Sequence, residues 1–362
     1  MDKKYEKLAK SLDTFMNIEA MSRYEEVIVQ EILKQVDTKN FIISRDNLGS
    51  LILHKPSKIK GAPKVMYAAH MDEVGYLVRN ISKEGMLMVS PVGGVWASTV
   101  IGTKAKVVTN KTNKEFIGVF GHTSVHIMER DKLTKAMSND ELYVDLGFLS
   151  EKEAQDAGIE MGDRVYMSGQ TIHFPNNIIA GKAMDNRAGV TSIVAIANNI
   201  ANIDLDVDLY IVGTVQEEVG CRGAKTSIML IDPQIAFAID TGASHDTPNC
   251  ITGVPKLGNG VAVLVKDSGT LMDPLLVENV MEVARQNNIP AYKYIAEGGG
   301  TDAANLQFGK GGVATLTLSI PQRYLHSPIG SCSLIDIQAV VDLGTEFAKS
   351  MNTSKYKKMQ YK

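Results

Sequence analysis

Histidines and carboxylates follow the apolar stretches of this 362-residue chain with a regularity that points to its chemistry. The run Lys64-Val65-Met66-Tyr67-Ala68-Ala69 ends in His70-Met71-Asp72, and the run from Tyr210 to Gln216 ends in Glu217-Glu218. Asp240 follows Ile235 to Ile239, His326 lies on the loop after Val313 to Ile320, and Asp185 stands where another segment turns helical. In an open α/β sheet, ligands bind beyond the carboxyl ends of the strands, so these side chains are expected at one sheet edge. A lone histidine or carboxylate there is ordinarily a solvated turn or a helix cap. Five together, all imidazole or carboxylate, form a donor set for metal-assisted hydrolysis. Asp185, Glu218 and Asp240 bring three negative charges and a bridging hydroxide a fourth, which balances two divalent ions.

The neighbours refine this. Residues two apart in extended chain project to the same side, so Asp72 can accept the second ring N–H of His70 and fix its tautomer. Glu217 and Glu218 diverge in direction, leaving one to bind metal and the other to move protons. The Gly298-Gly299-Gly300-Thr301-Asp302 loop lacks the Walker spacing and reads as a close-packed site wall with Asp302 in a supporting place. His122 and His126 have Thr123 where H-E-x-x-H needs Glu, so a zincin is excluded. Cys221 has no evident base to make it a nucleophile. His245 is a candidate pocket-lining residue, and His54 and His173 read as surface or structural.

The elements that must hold these residues are legible in three stretches. Tyr5, Leu8, Leu12, Phe15 and Met16 recur at helical spacing, and Ser22 with Glu25 reads as a capping box opening a second helix. From about 73 to 174, short strands alternate with Gly, Asn and Lys turns, which predicts an all-β insert interrupted by one helix capped at Ser150 and Glu153. After 175 the pattern is α/β: helix 190–200, strand 209–215, strand 235–239, helix 274–287, strand 313–320, helix 334–351. The lysines at 355, 357, 358 and 362 read as a frayed, solvated tail.

Composition narrows the partners. Lys+Arg of 38 against Asp+Glu of 41 gives a net charge of -3, so no global field draws the molecule to nucleic acid or an anionic membrane. Cys221, Cys250 and Cys332 are odd in number without a C-x-x-C pair, which argues against a disulfide scaffold or a zinc ribbon. No apolar run approaches a membrane span and the N-terminus lacks a signal-peptide core, so a cytoplasmic protein is expected.

In chain order, His70-Met71-Asp72-Glu73-Val74-Gly75, Met184-Asp185-Asn186-Arg187, Glu217-Glu218-Val219-Gly220, Asp240-Thr241 and Tyr324-Leu325-His326-Ser327-Pro328 resemble the motifs of the dinuclear metallo-aminopeptidases of peptidase family forty-two, the glutamyl and tetrahedral aminopeptidases. The resemblance implies an α/β, mixed-sheet, three-layer zinc-peptidase-like catalytic domain made of 1–72 and 175–354, with an inserted barrel-like domain at 73–174 that drives dimerisation, and a flexible tail at 355–362. It implies two divalent ions per subunit, zinc or cobalt foremost and manganese possible. His70 and Asp240 would hold one and Glu218 and His326 the other, with Asp185 bridging. Glu217 would be the general base acting on a dimetal-bridged water, and Asp72 would orient His70. Short peptides are the implied substrates, cut at their N-termini, and dimers assembling into a hollow dodecamer are the implied quaternary state.

Two alternatives stand beside it. Related deacylases and carboxypeptidases of peptidase family twenty share the ligand order but carry their extra domain late, whereas here the insert falls between Asp72 and Asp185. A glycosidase using Glu217 and Glu218 would need carboxylates flanking a sugar bond at about 5 Å or more, which sequence neighbours at one strand end serve poorly.

Overall fold

The computed structural model describes residues 2–361. An eleven-stranded mixed sheet forms its centre. Four parallel strands lie at the heart of the sheet in the order Asp208–Thr214, Lys64–His70, Ile235–Ala243, Ala314–Arg323. Lys64–His70 and Ile235–Ala243 are buried almost end to end, as their near-continuous apolar runs require of strands covered on both faces. Antiparallel strands extend the sheet through Leu51–Lys55 on one side and Gly330–Ser333 on the other. The helices Glu6–Met16, Met184–Ile200 and Leu334–Ser350 pack together as one layer. Arg222–Ile231 and the short Ala303–Leu306 pack as another, against Asp208–Thr214 and Ile235–Ala243 respectively. This is the three-layer α/β architecture expected from the sequence.

Between the first and second of the site motifs, six antiparallel strands close a barrel: Gly75–Ile81, Leu87–Val92, Tyr143–Asp145, Glu115–Gly121, Lys104–Val108 and Arg164–Met167, in spatial order. Its separate core is built by side chains that alternate inward, among them Tyr76, Val78, Leu87, Val89, Val107, Phe120 and Val165. The Ser150 hydroxyl accepts the Glu153 amide at 3.2 Å and starts the helix Glu151–Asp156, as its sequence pattern predicts. Among the described residues no helix is long and apolar enough to cross a membrane.

Two local expectations are corrected. Ser22 and Glu25 do not cap the helix Glu26–Gln35, whose N-cap has no side-chain hydrogen bond; both are drawn into the site instead. The tail expected at 355–362, of which residue 362 lies outside the described residues, does not fray at once. Asn352 caps a helix Thr353–Met359, accepting from the Lys355 amide at 3.0 Å, and Met359 is buried against the main core beside Tyr356. Tyr356 and Met359, three apart, give that segment an apolar stripe that the lysines mask.

Candidate active site

Each of the four parallel strands delivers a site residue from its carboxyl-terminal half or just past its end, and a non-helical break at the start of Met184–Ile200 delivers Asp185 across from them. Asp185 faces two histidines with two different oxygens: Oδ1 lies 3.0 Å from His70 Nε2 and Oδ2 lies 3.3 Å from His326 Nε2. His70 Nε2 is also 3.5 Å from Asp240 Oδ1, and His326 Nε2 is 3.5 Å from Glu218 Oε2. Asp185 thus joins two donor clusters able to hold an ion, His70 with Asp185 and Asp240, and His326 with Asp185 and Glu218, while His70, Glu217 and Glu218 form a further such group. Glu217 stands beside them with Oε2 3.9 Å from His70 Nε2.

Asp72 is the hub of the supporting shell. It is fully buried, and its carboxylate accepts the backbone amides of Glu217 at 2.9 Å and Glu218 at 3.2 Å and the Ser22 hydroxyl at 2.6 Å. His70 Nδ1 meets the Asp72 carbonyl at 3.1 Å and its carboxylate at 3.5 Å, so Asp72 fixes the ring with its backbone as well as its side chain. One residue thus ties two strand ends together. Glu25 adds to this by accepting the Gln216 amide at 2.9 Å. Gln216 has φ +56, and Ala183, Tyr324 and His326 also have positive φ. Non-glycine residues in this region are strained, and such strain gathers at functional sites.

A buried ionic cluster lies directly behind. Lys182 donates to both oxygens of Glu73, at 2.8 and 2.7 Å, and Arg187 approaches Glu73 at 3.4 Å while donating to the Met71 carbonyl. Glu73 also accepts the Ala20 amide at 2.9 Å. This cluster locks the His70–Glu73 segment to the Asp185 segment and to the N-terminal helices. The sequence offered a signal for it in the charges placed within otherwise apolar motifs. The barrel contributes as well: His326 Nδ1 contacts the Gly94 carbonyl at 2.6 Å, and no sequence pattern marks that backbone group. The neighbouring Gly93 has φ +82, and a Cβ there would meet Val74 Cγ1 at 2.7 Å, so only glycine lets this turn reach the site.

Burial, then repulsion from neighbouring carboxylates, pushes Glu217 and Glu218 well above the usual carboxylate range, and Asp302 is raised to about 7. Burial likewise raises Asp240. Burial alone would lower His70, yet Asp240, Asp185 and Asp72 hold it well above the usual histidine range. Glu218 Oε1 is buried with no hydrogen-bond partner among the described residues. A crowd of desolvated carboxylates with an orphaned oxygen is the electrostatic complement of divalent cations.

Of the other histidines, His245 sits off the clusters, contacting Tyr294 and the Ile251 carbonyl, and His54 stacks on Tyr210. Asp302 lies behind Glu217, accepting the Thr214 hydroxyl.

Parallel strand ends bearing paired imidazole and carboxylate clusters, with an early barrel insert, are an arrangement able to hold metal ions at one edge of an α/β sheet. The chain belongs to the M42 glutamyl aminopeptidase family, whose model matches residues 49–343. It is 34% identical to a lysyl aminopeptidase of Pyrococcus furiosus over 87% of this chain and 88% of the relative. It is 33% identical to a glutamyl aminopeptidase of Lactococcus lactis over 86% of this chain and 87% of the relative. Among solved structures, the TET aminopeptidase of a marine-sediment Thaumarchaeota archaeon superposes with a TM-score of 0.93 at 28% identity, covering 98% of this chain and 99% of its own. The TET1 peptidase of Pyrococcus horikoshii, described as assembling into a tetrahedron or a large octahedral shell, gives 0.84 at 29% identity, covering 95% and 100%.

Proposed function

We propose that the protein is a dinuclear metallo-aminopeptidase that releases N-terminal residues from short peptides. The observation that carries this is the division of Asp185 between two clusters, one oxygen toward His70 and the other toward His326. One ion would be held by His70, Asp185 and Asp240, the other by Asp185, Glu218 and His326. Imidazole and carboxylate donors suit zinc or cobalt, with manganese also accommodated. When bound, the two ions would supply Lewis acidity toward the scissile carbonyl and the attacking water.

Glu217 lies outside both Asp185-sharing clusters and serves as general base. Its backbone is pinned by Asp72, which leaves Oε2 to take the proton of the attacking water and deliver it to the departing amine, a role worth about 10²- to 10⁴-fold in rate. Carboxylates crowding the site favour the free ammonium end of a peptide over its carboxylate end. The two relatives are named for acidic and for basic N-terminal residues, so a peptide panel spanning both decides the preference of this chain.

Self-association falls to the insert, residues 73–174, which exposes Ile117, Val125, Ile127, Leu149 and Met161. These exposed apolar side chains on one unit are the candidates for an interface. Dimers building a closed, dodecameric shell would admit peptides and exclude folded proteins. Three free cysteines fit a reducing cytoplasmic setting. The deciding experiment is mass spectrometry of one peptide offered free, N-acetylated and C-amidated. Only the acetylated form should resist, whereas equal cleavage of free and acetylated peptide, or loss from the carboxyl end, would reassign the chain to the deacylase or carboxypeptidase class.

A further inference from the structure

Beside Glu217 lie two donors that the proposed reaction does not use, Cys221 and Asp302. Glu217, Cys221 and Asp302 each offer one ligand atom, and these atoms lie within 4.8 Å of one another. Cys221 donates its thiol to Glu217 Oε1 at 3.2 Å. Asp302 is 2% exposed and uses Oδ2 to accept the Thr214 hydroxyl, while Oδ1 is buried with no hydrogen-bond partner among the described residues. A buried carboxylate oxygen without a donor marks a place for a cation.

We propose that Cys221, Asp302 and Glu217 form a third metal site for a soft divalent ion such as zinc or cadmium, and that filling it silences the enzyme by withdrawing Glu217 from proton transfer. The metal-binding half stands alone; the silencing half rests on Glu217 being the base. Binding breaks the S–H bond: the proton leaves to solvent, and sulfur keeps the electron pair that forms the metal–sulfur bond. With sulfur at about 2.3 Å and oxygen at about 2.1 Å, two donors on a tetrahedral ion stand about 3.6 Å apart. The hydrogen bond already holds Sγ and Oε1 at 3.2 Å, close to that spacing, and solvent can supply the fourth ligand. The main clusters offer only imidazole and carboxylate, whereas this one adds a thiolate, so soft ions are selected over magnesium or manganese. A metal excess would then inhibit at a place distinct from the ions that support turnover.

The test uses the metal-loaded enzyme carrying Cys250→Ser, which removes the exposed thiol, titrated with cadmium. A thiolate-to-cadmium charge-transfer absorbance should rise with one further equivalent while turnover falls about 100-fold, the scale of a lost general base. Cys221→Ser and Cys221→Ala should each abolish the band; the main clusters contain no sulfur and cannot produce it. Absence of the band, or its persistence in both Cys221 variants, refutes the site. A band with unchanged turnover refutes the silencing, and Glu217→Gln then locates the error. If that variant is inactive the base assignment stands and the third ion does not engage Glu217, and if it is active the base assignment itself is wrong.

Discussion

Replacing Glu73 by Gln should be among the most damaging single changes outside the donor clusters, although Glu73 faces neither ion position. Glu73 is 2% exposed, Lys182 is 4% exposed and Arg187 is fully buried. Two cations therefore share one carboxylate. Burial drags the Lys182 ammonium below its ordinary range, and Glu73 is the main force opposing that. Removing one partner from a buried pair costs about 3–5 kcal/mol, because the charge left behind stays desolvated. At about 2.1 cal/mol/K of unfolding entropy per residue, a single cooperative unit of this length loses about one degree of melting temperature per 0.8 kcal/mol, so a fall of about 4–7 °C follows. Lys182→Met should cost less, since Glu73 keeps Arg187 at 3.4 Å and the Ala20 amide at 2.9 Å. The double variant should lose less than the sum of the two, because removing Lys182 relieves part of what Glu73→Gln leaves uncompensated. Calorimetry on metal-stripped protein at fixed concentration isolates the effect from metal affinity. A Glu73→Gln melting temperature within about 1 °C of the parent, or strictly additive losses, would refute the account of this cluster as a charge-balanced lock.

Other expectations can be checked beside it. Glu217→Gln should retain its metals and lose about 10²-fold or more in turnover; metal loss, or near-normal rates by steady-state kinetics, would reassign the glutamate pair. Exhaustive chelation should abolish activity and elemental analysis of the active protein should find about two ions per chain, so a metal-free preparation that still works removes the two-ion proposal. Asp246 is held down to about 2 by its hydrogen bond with Arg323, which anchors the strand leading to the His326 loop. A folded carboxyl below its unfolded value stabilises above the unfolded pKa and loses that contribution as pH falls through the folded one. The melting-temperature gap between parent and Asp246→Asn should therefore be full at about pH 5 and narrow toward about pH 2; a gap independent of pH would deny the ion pair that role. Exchanging Ile127 and Leu149 for Glu should lower the oligomeric state by light scattering while leaving the donor clusters' metal content intact, and an unchanged mass would move the interface away from these exposed barrel residues.

What could be found from sequence depended on whether a residue's signal was local. His70, Asp185, Glu217, Glu218, Asp240 and His326 stand out because strand ends are written as apolar runs and because a hard donor after such a run is unusual. The parallel sheet then does what the sequence cannot display, bringing residues from 70 to 326 within a few ångströms of one another. Ser22 and Glu25 show the opposite case. Their spacing is that of a capping box, and local propensity favours that use, but the fold takes both side chains for Asp72 and the Gln216 amide, where buried groups have no water to replace them. Gly94 carries no side-chain signal at all, since it acts through a carbonyl. Cys221 shows no base in its local sequence; the fold gives its thiol a hydrogen bond to Glu217 and brings Asp302, eighty-one positions later, near it through the packing of the Ala303–Leu306 helix against Arg222–Ile231. Local pattern identifies the groups that do chemistry, while long-range packing decides which neighbours hold them still and which can take them out of action.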